Sequence, residues 1–339
     1  MISNSKTIYI TGGDPAGISP DLVIRAFDSI ASVAVSHPIV YISGAGSIHS
    51  NAIQELAKAK GISCNVVSVP DSGSLVAKES QTEPGIRIQE IAQKEAIVPG
   101  KPGIESGRLA LEALSIASDL IHANGAKGLV TLPLSKHHVS LSAPGFHGHT
   151  DFLADRFKCD VLMLMHGEKL SVIPLTVHIP IKDVPVSLKE VLDDAATVRL
   201  LGLLQNWSEL RGPWALCGLN PHAGENGLLG SEELEFIANA ADRFRREGIS
   251  IDGPLAADGI FQEFHSGHYR LVLACYHDQG LIPFKALEGR SGVNCTIGLP
   301  FPRTSPDHGT AFDLAGTGKA DPTSFIQAFK LLAGDALWI

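Results

Sequence analysis

The sequence predicts an α/β protein of two lobes. Its first part alternates β-branched runs with stretches of helical periodicity, the pattern of a mostly parallel sheet covered by helices. Its length of 339 residues, at roughly 100–200 residues per domain, fits two domains or lobes. Apolar residues make up 44% and charged residues 19% of the chain, which provides a large core and argues against disorder.

Thr7–Thr11 (TIYIT) reads as a first strand, with GGDPAGISP as the turn into a helix near Asp21–Ile30. Pro38–Ser43 is a second strand, Asn51–Ala59 a helix and Asn65–Val69 a third strand. Residues 70–100 lack a clear period and read as a loop or excursion. Glu105–Ala123 repeats apolar residues at three-to-four spacing, the mark of a helix, and Gly128–Leu132 is a buried strand. A lobe boundary is expected near Leu134–Pro144. Beyond it, Val161–Met165 and Leu170–Val177 read as adjacent strands joined by a tight polar turn. Ser187–Leu204 and Ser231–Arg246 read as helices, the latter with Ser231 as its N-cap. Trp214–Cys217, Leu271–Cys275 and Val293–Ile297 are short strands. The chain is expected to return to the first lobe after about Thr304.

The formal net charge is -9, which disfavours nucleic acid and anionic membranes as partners. A small phosphorylated ligand needs only a few local cations and stays open. Five cysteines without a CxxC pair suggest reduced thiols and a cytoplasmic home. No secretory signal and no run long enough for a membrane span are legible.

Cys275–Phe325 is a long polar, Gly-punctuated stretch inside an otherwise apolar chain, more typical of a site than of a linker. Three histidines, His178 (LTVHIP), His222 (GLNPHAGE) and His277 (CYHDQG), sit at the ends of predicted strands. In α/β folds such positions converge on the ligand crevice. Three imidazoles there suit a divalent transition metal with an open coordination position. Their separation in sequence means that only tertiary or quaternary structure can assemble such a site, and three hydrogen-bonded loop histidines remain the alternative among the fourteen in the chain. His149 and Thr150 precede a helical stretch over Phe152–Phe157, where a helix N-terminus can hold an anion or Thr150 can simply cap the helix. Lys285, Asn294 and Arg303 fit phosphate or carboxylate recognition, or are surface polar residues. Asp258 and Asp278 are candidate acid–base or metal-side carboxylates. GGDPAGISP is neither GxGxxG nor a P-loop, and no GxSxG elbow is present.

GGDPAGISP, GHTDF, HIP, GLNPHAGENG, GPLAADGIF, YHDQGL and GVNCTIGLPFPRTSPDHGTAFDLAGTGKADPTSF follow one another in a single order. Together they resemble the 4-hydroxythreonine-4-phosphate dehydrogenase family of vitamin B6 biosynthesis over nearly the whole chain. DHGTAFDLAG is also similar to the cofactor loop of isocitrate and isopropylmalate dehydrogenases. The resemblance implies an isocitrate/isopropylmalate dehydrogenase-like fold of two α/β/α lobes with the active site in the cleft between them. The first lobe would take residues 1–138 and 304–339. The second, 139–303, would carry the metal and dimer-interface residues. It implies a homodimer with the metal at the subunit interface, and His178, His222 and His277 as ligands, one from the partner. His149, Thr150, Lys285, Asn294 and Arg303 would bind substrate, and Lys285 and Asp258 would be the catalytic candidates. His308, Gly309 and Asn220 would bind NAD or NADP. The implied metal is Zn²⁺, Co²⁺, Mg²⁺ or Mn²⁺, with imidazole ligation leaning towards Zn²⁺ or Co²⁺.

The implied activity is metal-dependent oxidation of a phosphorylated hydroxy acid, 4-phosphohydroxy-L-threonine, with decarboxylation of the β-keto product. GHTD in place of GHTE and the altered surroundings of Lys285 leave open the branches acting on D-threonate or D-erythronate 4-phosphate or on an aromatic cis-diol acid. A phosphate acyltransferase-like enzyme and a periplasmic-type binding protein are the rivals from other classes.

Overall fold

The computed structural model describes residues 5–69, 83–263 and 268–334. Its contacts divide the chain into two compact units, the first of Met1–Cys159 with Leu299–Asp335 and the second of Asp160–Gly298. The first division is expected near residue 139. The contacts put it after Cys159, so the segment around His149 belongs to the first unit.

In the first unit, β1 (Ile8–Thr11), β2 (Pro38–Ser43), β3 (Cys64–Val69), β4 (Gly85–Ile91), β5 (Gly128–Thr131) and the returning β12 (Arg303–Pro306) stand in the order β3-β4-β2-β1-β5-β12. Every pairing among them is parallel. β1, β2 and β5 are buried at every position, as strands covered on both faces must be, and their unbroken apolar text follows from that. The edge strand β3 alternates instead.

Helices α1 (Ser19–Arg25) and α2 (Phe27–Ala34) replace the single helix expected near 21–30, with the break at Ala26. α3 (Ser47–Ala59) and α4 (Ile104–Asn124) match their expected positions, and α4 buries Leu109, Leu114, Leu120 and Ile121 among others. Each such side chain contributes about 1.5–3 kcal/mol of apolar burial. The remaining helices are α5 (Lys136–Ser142), α6 (His149–Phe157) and, further along the chain, α12 (Thr323–Ala333). The excursion expected over 70–100 is corrected in part. Residues 85–91 form β4, hidden in the sequence by the polar Arg87, Gln89 and Glu90, whereas 70–82 lie outside the described residues.

The second unit holds β6 (Leu162–His166), β7 (Ser171–Pro174), β8 (Trp214–Cys217), β9 (Ile251–Leu255), β10 (Leu271–Ala274) and β11 (Val293–Ile297), in the order β11-β6-β7-β10-β8-β9. β6 runs antiparallel to β7 and β11, and β7, β10, β8 and β9 run parallel side by side. The helix expected over 187–204 is two helices, α7 (Val184–Asp193) and α8 (Ala195–Leu204), because the Asp194 side chain accepts the Ala196 N–H and caps the second. Ser231 stands at the start of the expected helix, its carbonyl accepting the Leu234 and Glu235 N–H groups, but its side chain does not cap a backbone N–H. Its hydroxyl donates to the Glu235 carboxylate, a π-turn covers Glu233–Ile237, and α9 (Ala238–Arg246) follows. α10 (Ala257–Glu263) follows β9, and α11 (His277–Glu288) replaces the irregular text expected after Cys275. Gly280 and Pro283 disguise α11, but Leu281, Phe284 and Glu288 keep a buried stripe at helical spacing. Among the described residues no helix is long and apolar enough to cross a membrane.

The last residue of α11 locks the β6–β7 hairpin. Glu288 is buried, and its Oε1 accepts the backbone N–H groups of Lys169 and Leu170 at 2.6 and 2.7 Å. Replacing it by Ala orphans two backbone donors, the Leu170 N–H among them buried. Glu288→Ala is expected to cost about 2–3 kcal/mol in urea unfolding, and a loss below about 0.5 kcal/mol would contradict the clamp. Acid should also weaken the fold. Burial lowers the pKa of His49 and His166 to about 4. Below the ordinary histidine value of 6.5 the unfolded chain binds protons that the folded chain refuses, so stability falls as pH drops from 6.5 towards 4. Thermal midpoints against pH test this, and His166→Gln should flatten the slope.

Candidate active site

In the second unit the residues that leave the carboxyl ends of four adjacent parallel strands carry the chemistry. Thr176 and His178 follow β7, Tyr276 and His277 follow β10, Asn220 and His222 follow β8, and Asp258 lies in the first turn of α10 after β9. Neighbouring strands lie about 4.8 Å apart, so the sheet delivers these groups in a row. His178 and His277 are together, their ring centroids 5.6 Å apart. They line a pocket of about 180 Å³ with Thr176, Ile179, Tyr276 and Asp278. The Thr176 hydroxyl donates to the Cys275 carbonyl at 2.8 Å and fixes the two strand ends against each other. His277 Nδ1 lies 2.7 Å from Asp278 Oδ1. This pairing orients the ring and leaves Nε2 for another ligand, as carboxylates do behind metal-binding imidazoles.

His222 sits on a different device. His222, Ala223, Gly224, Glu225 and Asn226 all have φ between 43° and 76°, a left-handed turn. Each non-glycine residue there costs on the order of 1–2 kcal/mol. The buried Glu233 supports the turn: it accepts the Asn220 backbone N–H at 2.8 Å and the Asn220 side-chain amide at 3.0 Å, and that amide also donates to Glu232 at 2.7 Å. The Asn220 side chain is therefore committed to this turn. α10, with the exposed Asp258, packs beside it. Among the described residues no group of three His, Cys, Asp or Glu side chains converges on one point. One chain thus brings together two of the three expected metal ligands. Lys285 lies two turns along α11 from His277, on the exposed side, and Asn294 on β11 carries a buried Oδ1 without a hydrogen-bond partner.

The first unit gathers a second group, again where its parallel strands end. Gly148 begins α6 without a side-chain cap, which leaves the first-turn N–H groups beside His149 and Thr150 available. His149 has a buried Nε2 with no partner. Burial, then the nearby charges of Arg303 and Lys136, hold its imidazole well below the ordinary histidine range, while a hydrogen bond with the Leu132 backbone works the other way. The ring is neutral at physiological pH. Arg303 is buried, and its Nε and Nη2 both donate to Thr131 Oγ1, at 3.1 and 2.5 Å. A buried guanidinium, an ammonium, a polar ring atom without a partner and an open helix start make an anion site.

Two loops of the first unit meet beside this group. The Ile18 N–H of the GGDPAGIS turn donates to the Thr310 carbonyl at 3.0 Å, and a Cβ on Gly17 would stand 2.7 Å from that oxygen, so only glycine fits. Asp14 is fully buried in the turn, its Oδ1 accepting the Ala16 N–H at 3.0 Å while burial raises its pKa. In the neighbouring loop His308 has a buried Nε2 without a partner, and Gly309 is exposed with open space where a side chain would be. Lys136, Asp14 and Glu233 escaped the sequence reading. The one signal for Lys136 was its place just after the carboxyl end of a buried strand.

The chain matches the family described as pyridoxal phosphate biosynthetic protein PdxA over residues 35–332. It is 35% identical over 336 residues to a 4-hydroxythreonine-4-phosphate dehydrogenase of Desulforapulum autotrophicum, covering 98% of this chain and 96% of that one. It is 37% identical over 342 residues to the D-threonate 4-phosphate dehydrogenase of Salmonella typhimurium, covering 96% of this chain and 98% of that one. The crystal structure of a 4-hydroxythreonine-4-phosphate dehydrogenase from Klebsiella pneumoniae superposes with a TM-score of 0.76 at 32% identity, covering 98% of each chain. The resemblance legible in the motifs holds along the whole length, and the chain belongs to the PdxA family of dehydrogenases.

Proposed function

We propose that this chain oxidises 4-phosphohydroxy-L-threonine with a nicotinamide dinucleotide and a divalent metal, and that the β-keto acid formed loses CO₂ to give 3-amino-2-oxopropyl phosphate. The observation that carries the reading is the alignment of His178, His277, His222 and Asp258 at the ends of four adjacent parallel strands, in a chain whose relatives bear that enzyme's name.

His178 and His277, with Asp278 orienting the latter, fit two positions of an imidazole-ligated ion, and His222 of a second copy would supply the third. Exposed aliphatic side chains on the same loops, Ile181 at 67% and Leu228 at 76% exposure, support a homodimer that covers them. When bound, the ion would supply Lewis-acid polarisation of the substrate hydroxyl and the nicotinamide would accept the hydride. This chain's residues do the positioning. Arg303, the α6 N-terminus with Thr150, and His149 bind the phosphate end. Asn294 and Lys285 hold the remaining polar groups. His308 and Gly309 form the dinucleotide cradle, with Asn220 shaping the His222 turn. Oxidation removes a hydride from the carbinol carbon and a proton from its oxygen, and Lys285 and Asp258 are the two candidates to take the proton. The five free cysteines are in keeping with a reducing, cytoplasmic compartment.

NADH or NADPH formation should be measured with 4-phosphohydroxy-L-threonine, D-threonate 4-phosphate and D-erythronate 4-phosphate side by side. The first is expected to give the highest kcat/KM together with CO₂. Preference for a sugar-acid phosphate would keep the chemistry and move the substrate. Dialysis against a chelator should abolish turnover and added Co²⁺ or Zn²⁺ restore it; full activity without metal would sink the metal assignment.

A further inference from the structure

We propose that Lys136 is an additional phosphate-binding residue of this site, a second cation beside Arg303. The inference rests on the phosphorylated-substrate reading above and extends it. Lys136 is the first residue of α5, held there by Ser135, whose hydroxyl accepts the His138 N–H at 3.3 Å. From this start the side chain crosses to α6. A Cβ built on Gly148 would meet Lys136 Cε at 3.0 Å and Nζ at 3.4 Å. The ammonium therefore lies over the backbone just before His149 and Thr150, at the uncapped start of a nine-residue helix. Gly148 has φ 149° and no side chain, which is what lets the ammonium come this close.

The charges around this point explain the need for it. Asp151 Oδ2 lies 3.8 Å from the same Gly148 Cβ position, so a carboxylate faces the site from α6 itself. His149 is neutral because burial disfavours its charged form, and Arg303 and then Lys136 repel its proton further. A phosphate monoester carries about -1.5 to -2 at neutral pH. Arg303 alone leaves that charge under-compensated; Lys136 adds a second cation. A bound dianion offsets that repulsion of the His149 proton, the second cause after burial, and so favours the ring form that donates through Nε2, which has no partner in the free protein.

The test uses the full chain. Inorganic phosphate binding is measured by calorimetry, and KM for 4-phosphohydroxy-L-threonine and for unphosphorylated 4-hydroxythreonine by dinucleotide reduction, on the wild type, Lys136→Met, Lys136→Gln and Lys136→Arg. Both neutral variants are expected to weaken phosphate binding and raise KM for the phosphorylated substrate about tenfold or more, the loss of one charge-assisted hydrogen bond. KM for the unphosphorylated compound and the thermal midpoint should not move, and Lys136→Arg should recover most of the loss. Unchanged phosphate affinity in folded Lys136→Met or Lys136→Gln, beside a wild type that binds phosphate, overturns the Lys136 assignment alone. A wild type that neither binds phosphate nor turns over a phosphorylated substrate overturns the proposed function with it.

Discussion

Parallel strand direction is the constraint on which the rest depends. A parallel strand buried on both faces offers its side chains only to the core, so chemistry must be placed where the chain leaves the sheet. The second unit obeys this four times in succession, at β7, β10, β8 and β9, and each exit carries a titratable side chain. The first unit obeys it after β1, β5 and β12, with the GGDPAG turn, Lys136 and the His308 loop. The hydrogen bonds that fix these exits, Thr176 to Cys275, Gln279 to Gly218 and Ile18 to Thr310, tie one exit to another rather than to the core. Position at the site is thus inherited from sheet order.

Electrostatics then divides the labour. In the first unit burial favours the protonated carboxyl of Asp14, which removes a charge that would oppose an anion, whereas burial and then two nearby cations keep His149 neutral in the free protein. Arg303 stays charged in the interior because guanidinium does not give up its proton. In the second unit His178 and His222 are exposed and His277 is half-buried, with Asp278 to orient it. The first unit thus gathers cations around a neutral ring, and the second sets imidazoles at its strand ends.

How much of this was legible follows from what each residue must satisfy. β1, β2 and α4 declare themselves because burial on two faces or on one stripe forces an apolar pattern. β12 does not, since its text is RTSP, and it is buried only because partners inside the fold satisfy it, Thr131 for Arg303 and the Ala328 carbonyl for Thr304. β9 was hidden by its Gly-Pro pair, tolerated at the end of the strand order. The histidines were visible as residues, but which of them meet depends on strand order. The left-handed turn at His222 left no local signal, because its cost is met by Glu233 eleven residues later. Lys136 looked like any cation after a strand until Gly148 showed where its head lies.

In the proposed assembly one chain brings His178 and His277 together while His222 serves a second copy. Subunit mixing tests it most directly. His178→Ala and His222→Ala chains, each inactive alone, are unfolded together, refolded and assayed. In a mixed dimer one of the two sites would then hold all three imidazoles, so random pairing should restore about a quarter of wild-type activity. No recovery, with both variants folded and dimeric, would place all three ligands in a single chain and contradict the account.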